Sequence, residues 1–285
     1  MAKLNSLGYR SQLVPLKTLG DIDLVKPIYA MGVQGVFTKE LDSALLNHQA
    51  DLAVHSLKDV PTIISEGLKI AAVLERGSSD DVLVHKPGFK PVEFERAVIA
   101  TSSIRRKSQW LGRYPHHNLV NVRGNVETRL RKFKEEGWGG IIFAKAGLER
   151  LGLLPEHFAV LDWMVPAPAQ GAIAVVCRED DKNVYESCRK VNHPTSEICV
   201  SVERNFLYHL EGGCSVPISA LAIIKGGEIV FQGAVHSLDG RQEMMVEVKA
   251  VKEKWEAIGE QAARQVSESE KGRMILDEFR KLNRN

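Results

Sequence analysis

Asp51-Leu-Ala-Val-His-Ser-Leu-Lys-Asp-Val-Pro61 is the stretch on which the reading of the fold turns. Ala53 and Val54 are apolar and Val54 is β-branched, so they read as the end of a short buried strand. Lys58, Asp59 and Pro61 then break the pattern, and Pro61 cannot continue a central strand. An acid and a base thus stand where a strand gives way to a loop, the place where open α/β sheets bind ligands. Taken alone, the same residues read more readily as a solvated turn with a chance ion pair, since charged loops mostly face water.

The neighbouring sequence repeats the device. Residues 97–100 form an apolar strand, followed by Thr101-Ser-Ser-Ile-Arg-Arg106, where Ser102 or Ser103 can cap a helix. A helix start offers free N–H groups and partial positive charge, so Arg105 and Arg106 there suit an anion, although two solvated arginines are the plain alternative. Residues 119–122, 123–125 and 126–136 then read as strand, turn and helix, and 140–144 with 146–151 as another strand and helix. Three such units in a row argue for a parallel sheet whose turns gather at one end. Arg105, Arg106 and Arg123, with Arg129 and Arg150, then face a common cleft. Singly each reads as a surface residue. Together they imply a ligand with several carboxylates or phosphates, which arginine pairs bidentately.

Residues 68–74 and 82–85 read as strands, with a polar crossing over 75–81 between them. Val165-Pro-Ala-Pro168 is stiff and reads as a return crossing, after which residues 170–176 form a strand that rejoins the first lobe. Two crossings imply two lobes around a cleft: a first lobe of residues 1–77 and 167–192, and a second of residues 78–166. From residue 193 the pattern changes to a helix, three strands with Gly226-Gly227 and Asp239-Gly240 hairpin turns, and two closing helices. Residues 193–285 therefore read as a small α+β domain. Ahead of all this, residues 1–8 read as helical turns stopped by Gly8, residues 11–17 as a strand, and Thr38 as the cap of a helix with Leu41, Ala44 and Leu45 on one face.

The chain has 285 residues, enough for two or three cores. A net charge of +2 gives no general attraction to nucleic acid or membrane, so any anion site must come from local clustering. No apolar run reads as a membrane span. The four cysteines, Cys177, Cys188, Cys199 and Cys214, form no C-x-x-C pair and no disulfide framework, which argues against zinc and for a reducing, cytoplasmic setting. No metal is expected. Cys214 sits on a glycine-flanked loop, Glu211-Gly-Gly-Cys-Ser-Val-Pro217, free of helix or strand pairing, though a buried inert thiol is the usual fate of a lone cysteine.

His55-Ser-Leu-Lys-Asp-Val-Pro61 resembles the signature of the porphobilinogen deaminase (hydroxymethylbilane synthase) family. Gly35-Val-Phe-Thr-Lys-Glu-Leu41, Thr101-Ser-Ser-Ile-Arg-Arg106, Val122-Arg-Gly-Asn-Val-Glu-Thr-Arg129 and Leu210-Glu-Gly-Gly-Cys-Ser-Val-Pro217 match in the expected order and span nearly the whole chain. The resemblance implies an α/β fold of two similar lobes resembling periplasmic-binding-protein domains, plus a small C-terminal α+β domain. It implies a transferase of haem biosynthesis that condenses four porphobilinogen molecules, releases ammonia and yields a linear tetrapyrrole. It implies a dipyrromethane cofactor held by Cys214 through a thioether, with Ser56, Lys58, Ser103, Arg105, Arg106 and Arg123 around it. Asp59 is implied as the catalytic acid, and Phe37, Arg129, Arg150 and Gln170 as substrate contacts. A monomer is expected, with no nucleic-acid or membrane partner.

Members of the resembled family carry an opening strand and an anion-binding loop ahead of the strand at residues 11–17, and neither stands here. The expectation is an unpaired sheet edge or unsatisfied buried backbone. This gives weight to two alternatives: a two-lobed trap for an anionic ligand without chemistry, or an inactive, truncated deaminase. A nucleic-acid binder using the arginines is disfavoured by the near-neutral charge.

Overall fold

A computed structural model describes residues 1–16, 38–93, 95–211 and 216–282. Helix α1 (Ala2–Asn5) is followed by α2 (Lys39–Leu46), β1 (Leu52–Ser56), β2 (Leu68–Val73) and β3 (Asp81–His85). Then come β4 (Val98–Ala100), α3 (Ile104–Arg113), β5 (Asn118–Val120), α4 (Val126–Glu135), β6 (Gly140–Ala144), α5 (Lys145–Leu151), β7 (Phe158–Val160) and β8 (Ile173–Arg178). Helices α6 (Lys182–Arg189) and α7 (Pro194–His209), strands β9 (Ile218–Lys225), β10 (Glu228–His236) and β11 (Glu243–Val251), and helices α8 (Trp255–Glu268) and α9 (Glu270–Leu282) complete the order.

The strands form three sheets, in the orders β1-β8-β2, β5-β4-β6-β3-β7 and β11-β10-β9. In the second, β4 pairs in parallel with β5 and β6, as three successive strand–turn–helix units require. Strands β3 and β7 extend it antiparallel. In the first, β8 lies antiparallel between β1 and β2, so the late strand does rejoin the early one. The third is an antiparallel meander whose inner face packs Phe231, Ile229 and Val235 against Phe206 of α7 and Ile258, Ala262 and Val266 of α8. The architecture is α/β with a small C-terminal α+β unit.

The chain passes from the first sheet to the second after β2 and returns before β8. These two crossings touch. Leu74 N–H donates to Ile173 O at 2.9 Å and Gly77 N–H to Gly171 O at 3.1 Å. Gly171 has φ +86°, and a Cβ there would sit 2.5 Å from Ser78 O and 2.9 Å from Gly77 O. Only glycine permits that approach.

Three expectations near the N-terminus need correction. Residues 11–16 form no strand, and Leu13, Val14 and Leu16 are exposed. A strand exists through its ladder, no neighbour pairs these residues within the described structure, and Pro15 removes a donor. Thr38 occupies the cap position of α2, but makes no side-chain cap hydrogen bond. Helix α1 ends earlier than expected, at Asn5 with Ser6 as its C-cap, and Gly8 follows at φ +85°. Lys17, Phe37 and Cys214 lie outside the described residues, so the expectations attached to them are not addressed by the fold.

Candidate active site

Strand β1 ends at Ser56 and the chain turns at once through a 3-10 turn, Leu57–Asp59. Leu57 anchors that turn. It is fully buried among Val60, Val73, Ala169, Ala172, Ala174 and Val200, and its N–H donates to Ala172 O at 3.0 Å. Lys58 and Asp59, the next two residues, stay half-buried. Burial pushes the Asp59 carboxyl above its ordinary range, against the pull of Lys58, His55, Arg129 and Arg106. Burial also brings the Lys58 ammonium down to about 8, with Asp59 and Asp81 opposing and Arg106 and Arg105 adding to the fall. His55, on β1, is buried and held towards its neutral form by desolvation, and its Nε2 has no hydrogen-bond partner.

The arginine pair of α3 does not face water. Ser103 caps the helix, its Oγ accepting from Arg106 N–H at 3.4 Å, and the first turn points both guanidinium groups inward. Arg105 Nη2 lies 2.7 Å from Asp81 Oδ2 and Arg106 Nη2 lies 2.8 Å from Asp81 Oδ1. Their other donors reach Val165 O at 2.8 Å and Ile142 O at 3.0 Å. Asp81 is wholly buried at the start of β3. Burial alone would raise its carboxyl, but the two guanidinium groups hold it at about 2. Gln170 closes the network. It is fully buried, its Nε2 donates to Asp81 Oδ1 at 3.0 Å and to Ser79 O at 2.8 Å, and its Oε1 accepts from Lys58 Nζ at 3.3 Å. One buried carboxylate therefore ties together the second sheet, the return crossing and the turn that carries Lys58 and Asp59.

The remaining arginines come from the turn after β5 and from helices α4 and α5. Ser102 Oγ donates to Val122 O at 2.7 Å and accepts from Val122 N–H at 2.9 Å, which locks the turns after β4 and β5 together. Arg123 follows, and Gly124 at φ +114° lets the chain pass within reach of Thr128, where a Cβ would come 2.7 Å from Thr128 Cγ2. Arg129, on α4, lies over the Phe143 ring at 5.0 Å. Burial, then Arg106 and Arg123, bring it down to about 10, with Asp59 opposing. Arg150 donates from Nη2 to Gly171 O, on the return crossing.

The structure thus brings Lys58, Asp59, Arg105, Arg106, Arg129 and Gln170 into one electrostatic unit, with Arg123 beside Arg129. Ser56 ends β1 as the residue before the Lys58 turn, and Ser103 acts as a helix cap. Arg150 and Gln170 have polar atoms engaged by the crossings. Four residues escaped the sequence reading: Asp81, Arg76, Glu203 and Arg204. Arg76 pairs with the buried Glu203 at 2.6 Å, and Glu203 also accepts from Ala169 N–H at 2.6 Å and Ala222 N–H at 2.8 Å. Arg204 grips the loop after Asp59. The signal for Asp81 was an acid opening an apolar strand within reach of no local base. The other three read as ordinary charges on a crossing and a helix. Cys177, Cys188 and Cys199 are buried free thiols, and burial raises all three, Cys188 and Cys199 to about 11. No helix among the described residues is long and apolar enough to cross a membrane.

An acid biased towards holding its proton, beside a cation biased towards losing one, inside a shell of guanidinium groups, suits proton management next to a polyanion. Residues 1–186 match the family profile described as porphobilinogen deaminase, dipyromethane cofactor binding domain, and residues 197–268 match the porphobilinogen deaminase C-terminal domain. The porphobilinogen deaminase of Syntrophomonas wolfei is 40% identical over 278 residues, covering 95% of this chain and 89% of its own. That of Moorella thermoacetica is 42% identical over 267 residues, covering 91% and 84%. A periplasmic binding protein of Salmonella typhimurium with high arginine specificity superposes with TM-score 0.36 at 11% identity, over 55% of this chain and 71% of that one.

Proposed function

The chain belongs to the porphobilinogen deaminase family, an enzyme family of tetrapyrrole biosynthesis with a dipyrromethane cofactor, and from that premise we propose how its residues carry the reaction. The reaction is the head-to-tail condensation of four porphobilinogen molecules into hydroxymethylbilane with loss of ammonia, a transferase chemistry of haem biosynthesis. We assign it to a cytoplasmic monomer, in keeping with three free buried thiols.

The donor set fits the cofactor. Each of its pyrroles carries acetate and propionate arms, and guanidinium groups from α3 and α4 lie within electrostatic reach of the Lys58–Asp59 turn. Cys214 would hold it through a thioether, with Lys58, Ser56, Ser103, Arg105, Arg106 and Arg123 around its arms. Dipyrromethane, when bound, supplies the free pyrrole carbon that extends the chain. Arg105 and Arg106 keep their orientation through Asp81, so they present fixed rather than mobile charge. Arg129, Arg150 and Phe37 would receive the substrate arms and ring. Gln170 is wholly buried, so its contribution to substrate passes through Lys58.

Asp59 is the catalytic carboxyl in this reading. Ammonia leaves the substrate with a proton, and positive charge develops on the pyrrole left behind. A carboxylate placed against the pyrrole N–H stabilises that charge and holds the proton lost when the new carbon bond forms. The observation that carries the reading is the half-buried Asp59 carboxyl, raised by burial on the turn it shares with Lys58 and within the electrostatic reach of His55, Arg129 and Arg106. Steady-state turnover of porphobilinogen, followed as ammonia released and tetrapyrrole formed, tests it. Asp59→Asn should keep the fold and lose about a hundredfold or more in kcat, whereas near-normal turnover in that variant refutes the role.

A further inference from the structure

We propose that Arg204 is a positioning residue: it fixes the turn bearing Lys58 and Asp59 to the helix whose C-terminal end leads into the segment carrying Cys214. The proposal rests on the deaminase reading for what that turn does, and on geometry for how it is held. Arg204 lies on α7, and its Nη1 donates to Val60 O at 2.8 Å while its Nη2 donates to Pro61 O at 2.6 Å. Longer contacts reach Leu57 O at 3.5 Å and Thr62 O at 3.4 Å. Four carbonyls on either side of Asp59 thus converge on one planar fork, a geometry that suits guanidinium and not a point charge.

No carboxylate pairs with Arg204 among the described residues. Burial brings its guanidinium down to about 10. A cation moved out of water towards carbonyl dipoles alone is a poor way to stabilise a fold, because desolvation offsets most of the attraction. Such an arrangement does fix backbone direction. Val200, four residues earlier and on the same face of α7, packs in the cluster that buries Leu57 and Val60. The helix therefore holds the turn twice, by an apolar contact beneath and by the fork around the loop. Glu203, between them, fastens the same helix to Arg76, to Ala169 N–H of the return crossing and to Ala222 N–H of β9. Helix α7 is the strut that holds the acid's turn to the return crossing and to β9, and Arg204 is its contact with that turn.

Loss of the fork lets Lys58 and Asp59 drift while the arginines of the second sheet stay in place. Displacement of a reacting group by about an ångström costs up to about a hundredfold in rate. We expect Arg204→Gln to lower kcat by about ten- to a hundredfold with KM changed less than about threefold. Arg204→Lys, which keeps charge but not the fork, should recover only a small part. Arg204→Ala should regain kcat on addition of guanidinium at millimolar concentration, and no comparable gain should follow with ammonium. The wild-type protein is assayed alongside: if it does not turn over porphobilinogen, the deaminase reading fails and not the fork. With wild type active, three results overturn the proposal: kcat of Arg204→Gln within about twofold of wild type, full recovery by lysine, or a loss that guanidinium does not relieve and that follows the unfolded fraction measured by circular dichroism.

Discussion

Asp81→Asn removes one charge and almost no volume from the centre of the site, so its effect is electrostatic. The wild-type carboxylate is wholly buried and lies 2.7 Å from Arg105 and 2.8 Å from Arg106. Its fall from an ordinary 3.8 to about 2 is worth about 2–3 kcal/mol. The substitution also leaves two buried guanidinium groups facing each other without a counter-charge, and breaking a buried pair typically costs about 3–5 kcal/mol. We therefore expect a loss of about 4 kcal/mol, a fall in melting temperature of roughly 10 °C for a chain of this size. The pH dependence gives the sign. A carboxyl whose folded pKa is depressed contributes stability above its unfolded pKa and loses it as pH falls towards the folded value. The gap between wild type and variant should be level from pH 5 to 8, narrow below about pH 4, and lose about half of the pKa-linked part by pH 3. Calorimetric melts of both proteins across that range make the test. A gap under about 2 °C at pH 7, or one that does not narrow in acid, refutes the assignment of Asp81 as the buried counter-charge.

Gly171→Ala should destabilise by about 2–3 kcal/mol, since the residue needs a positive φ and its Cβ would meet Ser78 O and Gly77 O; an unchanged melt would show that the crossings do not meet as described. Loss of the Lys58 ammonium as pH rises through about 8 should depress kcat/KM for the anionic substrate on its alkaline side, and Lys58→Arg should move that limb upward by more than a unit; a limb that stays in place assigns it to another group. Cys177, Cys188 and Cys199 should resist a thiol reagent at pH 8 in the native protein and react after denaturation, leaving Cys214 unreactive when the cofactor is attached; four titratable thiols in denatured protein that is active contradicts the tether.

The strands, helices and crossings were legible because each rests on local pattern. Apolar runs punctuated by Ser, Gly and Pro place β4, α3 and β6 within a residue or two of where they stand. The clustering of arginine at the turns was legible too, because each turn carries its own. What those arginines face was not. Arg105 and Arg106 look inward because Asp81, remote in sequence, lies across the second sheet, and no local spacing announces a partner brought in by β-pairing. Arg204 was hidden for the same reason, a helix charge whose acceptors are four carbonyls of a distant turn. Residues 11–16 failed in the opposite direction. Their composition suits a strand, but a strand needs a neighbour, and composition says nothing of one.

The account's central claim is that a covalent pyrrole cofactor on Cys214 works against the Asp59 carboxyl. Intact mass spectrometry of the denatured protein, before and after addition of porphobilinogen, tests it most directly, with Cys214→Ser and Asp59→Asn alongside. The account predicts an adduct of two pyrrole units on the wild type, further additions in single pyrrole steps with substrate, no adduct on Cys214→Ser, and a retained but unextended adduct on Asp59→Asn. Bare polypeptide mass in a wild-type sample that still consumes porphobilinogen, or an adduct that survives loss of the Cys214 thiol, would contradict it.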